Sequence, residues 1–188
     1  MEELIQLDKD LFIYLNNLGT PFWDDFWLFV TEKINQAPLV LILLYFFHKY
    51  FGVKGTVITI ITIALLITVS DQLSNLFKNV LFMRPRPCQL EGVGEFTRFI
   101  AERCGRHGYF SAHASTSMGV AFFTGLALQK KLKYIFPFMV LWSIVFSYSR
   151  IYIGVHYPGD IITGMIIGIL LGVGTYKLHS FLIAKYNK

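Results

Sequence analysis

Five long apolar stretches, separated by polar connections, occupy most of the sequence after its first 37 residues. They cover residues 38–47, which can be extended at both ends, 55–80, 110–128, 132–148 and 161–184. About 20 mostly apolar residues are enough for an α-helix to cross a bilayer. The pattern therefore predicts an all-α integral membrane protein, built as a bundle of five long transmembrane helices.

The first 34 residues follow a different pattern. Leu, Phe and Trp are mixed with acidic residues, and Gly19-Thr20-Pro21 interrupts the segment. Neither half has enough uninterrupted apolar residues to cross a bilayer, so the pattern predicts two short amphipathic helices that lie at the membrane interface. A tilted sixth span over residues 11–30 remains an alternative. The acidic start differs from the basic start of a cleavable signal peptide.

Composition supports the membrane prediction. The chain has 188 residues, of which 54% are hydrophobic and 15% charged, and its mean hydropathy is +0.52. This is enough for one membrane domain covering residues 1–188. The net charge of +5 does not indicate nucleic-acid binding, because the lysines lie at the ends of apolar stretches.

The lysines also predict an orientation. A five-helix arrangement would place seven of them on one side of the membrane: Lys49, Lys54, Lys130, Lys131, Lys133, Lys185 and Lys188. The positive-inside rule makes that side cytoplasmic. The polar segment 83–109 would then be an extracytoplasmic loop, and its two cysteines, Cys88 and Cys104, either form a disulfide in this oxidising compartment or remain free thiols.

The second apolar stretch ends in a polar stripe. Its members recur at three- and four-residue steps, namely Ser70, Asp71, Ser74, Asn75 and Lys78. Charged groups in a membrane helix usually face a wet cavity or a partner, so the stripe predicts a site at this membrane edge. Interhelical hydrogen bonding is the alternative for Ser74 and Asn75.

A second group of polar residues follows the fourth stretch. Arg150, His156 and Asp160 lie within eleven residues. An arginine presents a planar fork of donors that suits a phosphate, and a histidine can attack phosphorus once a carboxylate fixes its tautomer. The alternative is structural, with Arg150 and Asp160 forming an ion pair at a helix end that His156 caps.

The spacing Ser149-Arg150, five residues, His156, three residues, Asp160 resembles the third signature of the type 2 phosphatidic acid phosphatase superfamily, which includes vanadium haloperoxidases. The segment Phe110-Ser111-Ala112-His113 is similar to the second signature, Pro-Ser-Gly-His. The first signature is a lysine, six residues and Arg-Pro. Here Lys78 is followed by Arg84-Pro85 after five residues and by Arg86-Pro87 after seven. We take Arg86 as the match, with a helical bulge absorbing the extra residue; Arg84 is the alternative.

The resemblance implies a role for each matching residue. His156 would be the nucleophile that forms a phosphohistidine, Asp160 would hold its far nitrogen, and His113 would protonate the leaving group and then activate water. The implied phosphate ligands are Lys78, Arg86, Arg150, Ser111 and the Ala112 backbone N–H, with Arg84 as a further candidate. These cations would supply the charge that a metal supplies elsewhere, so we expect no metal and no cofactor.

The resemblance also implies a substrate class. The expected enzyme is a small bacterial lipid phosphatase of the inner membrane, acting on a polyprenyl diphosphate, phosphatidylglycerophosphate, phosphatidic acid or lipid A. The sequence leaves the question of protein partners open. A vanadate-dependent haloperoxidase and a non-catalytic lipid-phosphate binder or transporter are the alternatives. Retention of His113, His156 and Asp160 argues against the binder, since binding alone needs only the cations.

Overall fold

The computed structural model describes residues 2–186, and every regular element among them is helical. The α-helices are α1 (Glu2–Asn17), α2 (Asp24–Thr31), α3 (Ala37–Leu76), α4 (Ala112–Leu128), α5 (Ile135–Tyr152) and α6 (Pro158–Tyr186). Three helical stretches are long and apolar enough to cross a membrane: Lys33–Leu81, Ile135–Tyr152 and Pro158–Tyr186. The predicted all-α membrane architecture is confirmed.

The longest helix, α3, is folded into two arms at Gly52. This residue has a φ of 66° and a ψ of −171°, a conformation that a glycine adopts at little steric cost. Phe47 of the first arm and Leu66 of the second belong to the same buried cluster, so the arms lie side by side. Together with α4, α5 and α6 they give the five long helical segments that the apolar pattern predicts.

The N-terminal segment contains two short helices, as predicted. α1 has 16 residues and α2 has 8, and a short 3-10 turn, Pro21–Trp23, precedes α2. Neither reaches the length of a span, so the alternative of a sixth helix over residues 11–30 is not supported. Many of their large apolar side chains remain exposed, including Leu4 and Leu7 of α1 and Phe26 of α2, which suits helices at an interface.

Glycines of α6 allow it to lie very close to α4. A Cβ atom added to Gly164 would lie 2.6 Å from the carbonyl oxygen of Ser111, and one added to Gly172 would lie 2.5 Å from that of Gly119. Small residues spaced by one helical turn commonly allow such close packing in membranes. The contact fixes the start of α4 beside the start of α6, where the candidate site residues lie.

The two ends of the bundle differ in character. Tyr50 near the bend of α3, Leu128 and Leu132 at the α4–α5 connection, and Tyr176 of α6 pack against one buried cluster. Most of the lysines used to predict orientation lie near these residues; Lys188 is outside the described residues. At the other end the second arm of α3, the start of α4, the end of α5 and the start of α6 meet.

The N-terminal helices pack on this second end. The side-chain amide of Asn16 donates to the carbonyl oxygens of Ile151 and Tyr152, both at 2.9 Å, and its oxygen accepts from the backbone N–H of Arg98 at 2.7 Å. Phe12 contacts Tyr157 edge to face, with ring centroids 5.4 Å apart. These contacts attach α1 to both α5 and the long polar loop.

Candidate active site

His156 and Asp160 form the buried centre of the site. His156 lies in the short connection between α5 and α6, and Asp160 lies in the first turn of α6. The Nδ1 atom of His156 is 3.3 Å from Oδ2 of Asp160, and the backbone N–H of Tyr157 donates to the same oxygen at 3.1 Å. A proton on Nδ1 donated to Asp160 leaves the lone pair on Nε2, the tautomer that attack on phosphorus requires.

The surroundings keep His156 uncharged. The side chain is only 2% exposed, and its burial lowers the pKa of the imidazole well below its usual value. Nearby Arg86 and Arg150 act in the same direction, because their positive charges oppose protonation. The ring is therefore neutral and nucleophilic at neutral pH.

A cluster of cations surrounds this pair. Lys78 lies in the π-helical turn that follows α3, Arg86 in the loop and Arg150 in α5. All three act electrostatically on His156. Arg86 donates from Nε to the carbonyl oxygen of His107 at 3.0 Å. No carboxylate forms a direct ion pair with Arg86 or Arg150 within residues 2–186.

Arg150 is not paired with Asp160. Its Nη1 donates to the Thr31 hydroxyl at 2.8 Å, and its Nε is buried without a hydrogen-bond partner. The structural alternative, an ion pair between Arg150 and Asp160 at a helix end, is therefore wrong. A buried donor without a partner is costly, and a phosphate oxygen would satisfy it.

The extra residue after Lys78 lies in a π-helical turn, Phe77–Leu81, that follows α3 directly. A π-turn inserts one residue into a helix, which is the bulge that the spacing to Arg86 requires. Lys78 and Arg86 consequently lie close enough to interact electrostatically. The π-turn is compatible with Arg86 as the signature arginine, which stays a prediction.

Ser111, Ala112 and His113 begin α4. Ser111 is the N-cap residue, with its hydroxyl accepting from the Ala114 N–H at 3.5 Å, and its own N–H donates to the Asp160 carbonyl oxygen at 3.1 Å. The first amides of a helix have no partner inside it and can bind an anion. Ala112 is helical, so replacing the glycine of the signature does not force a left-handed backbone.

The His113 ring stacks on Phe146 of α5, with centroids 5.5 Å apart. It also lines a cavity of about 300 Å³ between the two arms of α3, α4 and α5. The lining is mainly apolar and includes Leu43, Ile67, Val120 and Met139. One of the candidate catalytic groups therefore lies at the edge of a mainly apolar cavity inside the bundle.

Arg84 lies in the site but is bound to two carboxylates. Its Nη1 donates to Oδ1 of Asp160 at 3.0 Å and its Nη2 to Oδ2 of Asp8 at 2.7 Å. Its guanidinium carbon lies 3.9 Å from the ring centroid of Tyr157. Asp8 belongs to α1, and no sequence signal indicated it, because it is remote in the chain from every signature.

The long loop is held at both its base and its tip. Cys88 and Cys104 form a disulfide with a Cα–Cα distance of 6.3 Å, which settles the choice between bridged and free thiols. At the base, the Gly108 N–H donates to the Arg84 carbonyl oxygen at 2.9 Å. At the tip, Arg98 forms an ion pair with Asp24 of α2.

The polar stripe of α3 has two functions. Ser70 bonds the Ser115 hydroxyl at 2.8 Å and Ser74 donates to the Phe110 carbonyl oxygen at 3.1 Å. The hydrogen-bonding alternative is therefore correct for Ser74. Lys78, one turn further on, belongs to the cation cluster, and Asp71 lines the cavity.

Comparison with known proteins identifies the family. The model of the PAP2 superfamily matches residues 56–184. Over 170 residues, 89% of this chain and 75% of the relative, the sequence is 36% identical to the lipid A 4'-phosphatase of Bacteroides thetaiotaomicron.

Two solved structures are also similar. Aquifex aeolicus LpxE has a TM-score of 0.61 and 28% identity, over 89% of this chain and 93% of that one. The PAP2-type phosphatidylglycerolphosphate phosphatase from Bacillus subtilis has the same fold, with a TM-score of 0.74 and 17% identity over 100% of this chain and 90% of that one. The family match, the sequence relatives and the fold of the present chain together show that it belongs to the PAP2 superfamily and is a multi-pass membrane lipid phosphatase.

Proposed function

We propose that this phosphatase removes a phosphate monoester from lipid A or a closely related phosphoglycolipid, through a phosphohistidine formed at His156. The contact that carries the mechanism is the 3.3 Å approach of His156 Nδ1 to Asp160, which directs Nε2 away from the carboxylate. The lipid A 4'-phosphatase relative, 36% identical, supports the substrate class.

In the first step Nε2 of His156 attacks phosphorus in line with the bond to the lipid oxygen. That bond breaks, and His113, which has to be in its imidazolium form while the anionic phosphate is bound, gives its proton to the leaving alkoxide and becomes neutral. In the second step His113 takes a proton from a water molecule, which attacks the phosphohistidine and releases inorganic phosphate. Atoms and protons balance over the two steps, and Asp160 holds the imidazole in the same orientation throughout.

Lys78, Arg86 and Arg150 would bind the non-bridging oxygens of the phosphate. The Ser111 hydroxyl and the Ala112 N–H add uncharged donors at the start of α4. Charge develops on these oxygens in the transition state, so donors that are already in place stabilise it without reorganisation. The buried, unpartnered Nε of Arg150 is one such donor.

The cavity supports a substrate with an apolar part. It begins beside His113 and continues along Leu43, Ile67 and Val120, so a lipid chain in it would be removed from water while the phosphate stays in the cation cluster. Burial of apolar surface contributes about 25 cal/mol per Å². That free energy, obtained away from the reacting atoms, can be used to orient the phosphate.

We also propose that the site faces the extracytoplasmic side of a bacterial inner membrane. The bend of α3 and the α4–α5 connection, which carry five lysines, lie at the end of the bundle away from the site, and the positive-inside rule makes that end cytoplasmic. A disulfide in the loop suits an oxidising compartment.

The mechanism is tested with His156→Ala and His113→Ala. Each is expected to remove nearly all turnover in detergent, because each residue makes or breaks a bond to the phosphate or its leaving group. Brief incubation of the wild type with radiolabelled substrate should trap a phosphoprotein stable to base and labile to acid, and His156→Ala should not form it. Near wild-type turnover by His156→Ala would refute the nucleophile assignment.

The substrate is tested by measuring phosphate release from four lipids: lipid A, a long-chain polyprenyl diphosphate, phosphatidylglycerophosphate and phosphatidic acid. We expect the highest kcat/KM for lipid A, with the phosphate removed from the 4' position. A preference of tenfold or more for any of the other three would contradict the substrate proposal while leaving the lipid phosphatase activity intact.

A further inference from the structure

The N-terminal helix α1 reaches the site through a chain of three polar contacts. Asp8 accepts from Arg84, Arg84 donates to Asp160, and Asp160 accepts from His156. The distances along this chain are 2.7, 3.0 and 3.3 Å. A residue near the beginning of the sequence is therefore connected to the proposed nucleophile without touching it.

Asp160 depends on Arg84 for its charge balance. Its side chain is 0% exposed, and a carboxylate removed from water needs both hydrogen bonds and a compensating charge. The neutral His156 and the Tyr157 N–H supply hydrogen bonds to Oδ2 but no charge. Arg84, at Oδ1, is the cation that pairs directly with this carboxylate among the described residues.

The Arg84 guanidinium binds two carboxylates. One terminal nitrogen binds each carboxylate, and the planar group lies over the Tyr157 ring at 3.9 Å, where an arginine is well placed for a cation–π contact. Arg86 differs, because its recorded hydrogen bond goes to a backbone carbonyl through Nε. The two arginines of the Arg84-Pro85-Arg86-Pro87 segment thus have different environments.

Asp8 fixes the other side of the same arrangement. Its Oδ1 accepts from the backbone N–H of Gly159 at 2.7 Å, next to Asp160 in the first turn of α6. A Cβ atom at Gly159 would lie 2.8 Å from Oδ2 of Asp8, so a larger residue at this position would displace the Asp8 carboxylate. Asp8 therefore holds both Arg84 and the backbone that carries Asp160.

We propose that Arg84 and Asp8 are positioning residues for the His156–Asp160 pair, and that α1 contributes to the active site through Asp8. In this assignment Arg84 binds no phosphate oxygen. Arg84 keeps the Asp160 carboxylate ionised and correctly placed, and Asp8 keeps Arg84 in place. The assignment rests on the proposed role of His156 as the nucleophile.

The first test compares Arg84→Gln with Arg86→Gln. Arg84→Gln should lower kcat about 10²-fold, the typical effect of a misplaced catalytic group, while the inhibition constant for inorganic phosphate changes less than twofold. Arg86→Gln should raise that inhibition constant as well. Arg103→Gln, which changes an exposed arginine of the same loop, is the matched control and should behave like the wild type.

The second test uses α1. Asp8→Asn should lower kcat less than Arg84→Gln does, because every direct contact of Asp160 remains. The inhibition constant for inorganic phosphate should not change. Asp10→Asn is its control, since Asp10 is exposed and bonds Gln6. If the two residues act through one chain of contacts, the effects of Asp8→Asn and Arg84→Gln should be non-additive in the double variant.

A pH profile separates positioning from a merely structural role. The charged or titratable groups that act on His156 come from every element around it: Lys78 from the turn after α3, Arg84 and Arg86 from the loop, His113 from α4, Arg150 from α5 and Asp160 from α6. The positive charge of Arg84 is one of the charges that oppose protonation of His156. In Arg84→Gln this charge is absent, so His156 should be protonated at a higher pH and the acidic limb of kcat/KM should move to higher pH. Arg84→Lys retains the positive charge. Its acidic limb should therefore lie at the same pH as that of the wild type, whereas its kcat should be restored only in part.

Each result decides the proposal. A kcat within twofold of the wild type in Arg84→Gln, or phosphate inhibition weakened as much as in Arg86→Gln, would overturn it. All values are taken per folded protein, measured as the monodisperse fraction on gel filtration. His156→Ala is assayed in parallel: turnover by that variant would refute the proposed mechanism, whereas an inactive His156→Ala beside a fully active Arg84→Gln would refute only the positioning role.

Discussion

Opening the Cys88–Cys104 disulfide is expected to release the loop that carries Arg84 and Arg86. The bridge closes a segment with a sequence separation of 16, and Arg86 lies two residues before its first cysteine. Other contacts also hold the loop: the base is joined by the Arg86 N–H to the Arg106 carbonyl oxygen at 3.4 Å, and the tip is bound by Asn16. The loop should therefore loosen rather than unfold at low temperature.

The size of the effect follows from the length of the closed segment. In the chain-entropy model a loop of about 15 residues gains roughly 3 kcal/mol from a cross-link. For a protein of 150–250 residues, about 1 kcal/mol corresponds to a change of roughly 2–4 °C in Tm. We therefore expect the temperature of half-inactivation to fall by about 6–12 °C.

The assay compares the wild type, with and without reductant, and the double variant Cys88→Ser/Cys104→Ser. Residual phosphatase activity is measured at a fixed low temperature after heating in detergent. The chain has two cysteines, so reductant should have no effect on the double variant, which makes that variant an internal control. At low temperature all samples should retain most of their activity.

Two results would contradict this reasoning. Full labelling of both thiols in denatured but unreduced protein would show that no bridge forms. An unchanged half-inactivation temperature in the double variant, with the bridge proven in the wild type, would show that the contacts at the base and at the tip fix the loop without the disulfide.

Two further predictions concern charge. Activity should persist in excess chelator, because in the proposed mechanism Lys78, Arg86 and Arg150 would supply the positive charge that binds the phosphate. An absolute requirement for magnesium, measured as phosphate release after dialysis, would contradict this. The kcat/KM profile should stay flat on the acid side to a pH below about 6.5, the usual pKa of a free imidazole, because burial lowers the pKa of His156 and keeps it neutral. An acidic limb at or above that pH would mean that the nucleophile is not this histidine.

Most of the fold could be predicted from the apolar pattern. The helices begin and end within a few residues of the predicted stretches, since a membrane segment is defined mainly by its hydrophobic length. One clear difference is α5, predicted over 132–148 and observed at Ile135–Tyr152. Arg150 lies within its last turn, at an end of the helix that is buried in protein. A charged residue interrupts the apolar pattern from which the span was predicted, but it does not interrupt the helix.

The departures from the family spacing were partly predictable. The extra residue after Lys78 required a bulge, and a π-turn at Phe77–Leu81 provides it. The sequence did not distinguish the roles of Arg84 and Arg86, because both precede a proline and both lie near the same helix end. The difference between them comes from Asp8, which reaches Arg84 only through the three-dimensional packing of α1.

Residues that act through other residues were the ones that sequence reasoning missed. Thr31 and Asp8 carry no motif, and each is more than 70 positions away from the arginine that it binds. The amphipathic pattern of α1 and α2 predicted where these helices lie with respect to the membrane. Which polar residues on their inner faces contact the site depends on the packing against α5 and α6, for which the pattern has no signal.

The balance of charges at the site explains why an N-terminal helix with acidic residues packs there. Lys78, Arg86 and Arg150 repel one another in surroundings from which water is largely excluded, and such repulsion is stronger there than in water. Asp160 offsets part of it, but its carboxylate also has to orient His156, so it cannot be drawn toward the phosphate ligands. Arg84 contacts Oδ1 of Asp160, whereas His156 contacts Oδ2. The additional positive charge of Arg84 is in turn balanced by Asp8. The cations that would bind phosphate thereby stay without direct carboxylate partners, and a bound phosphate is the group that would neutralise them.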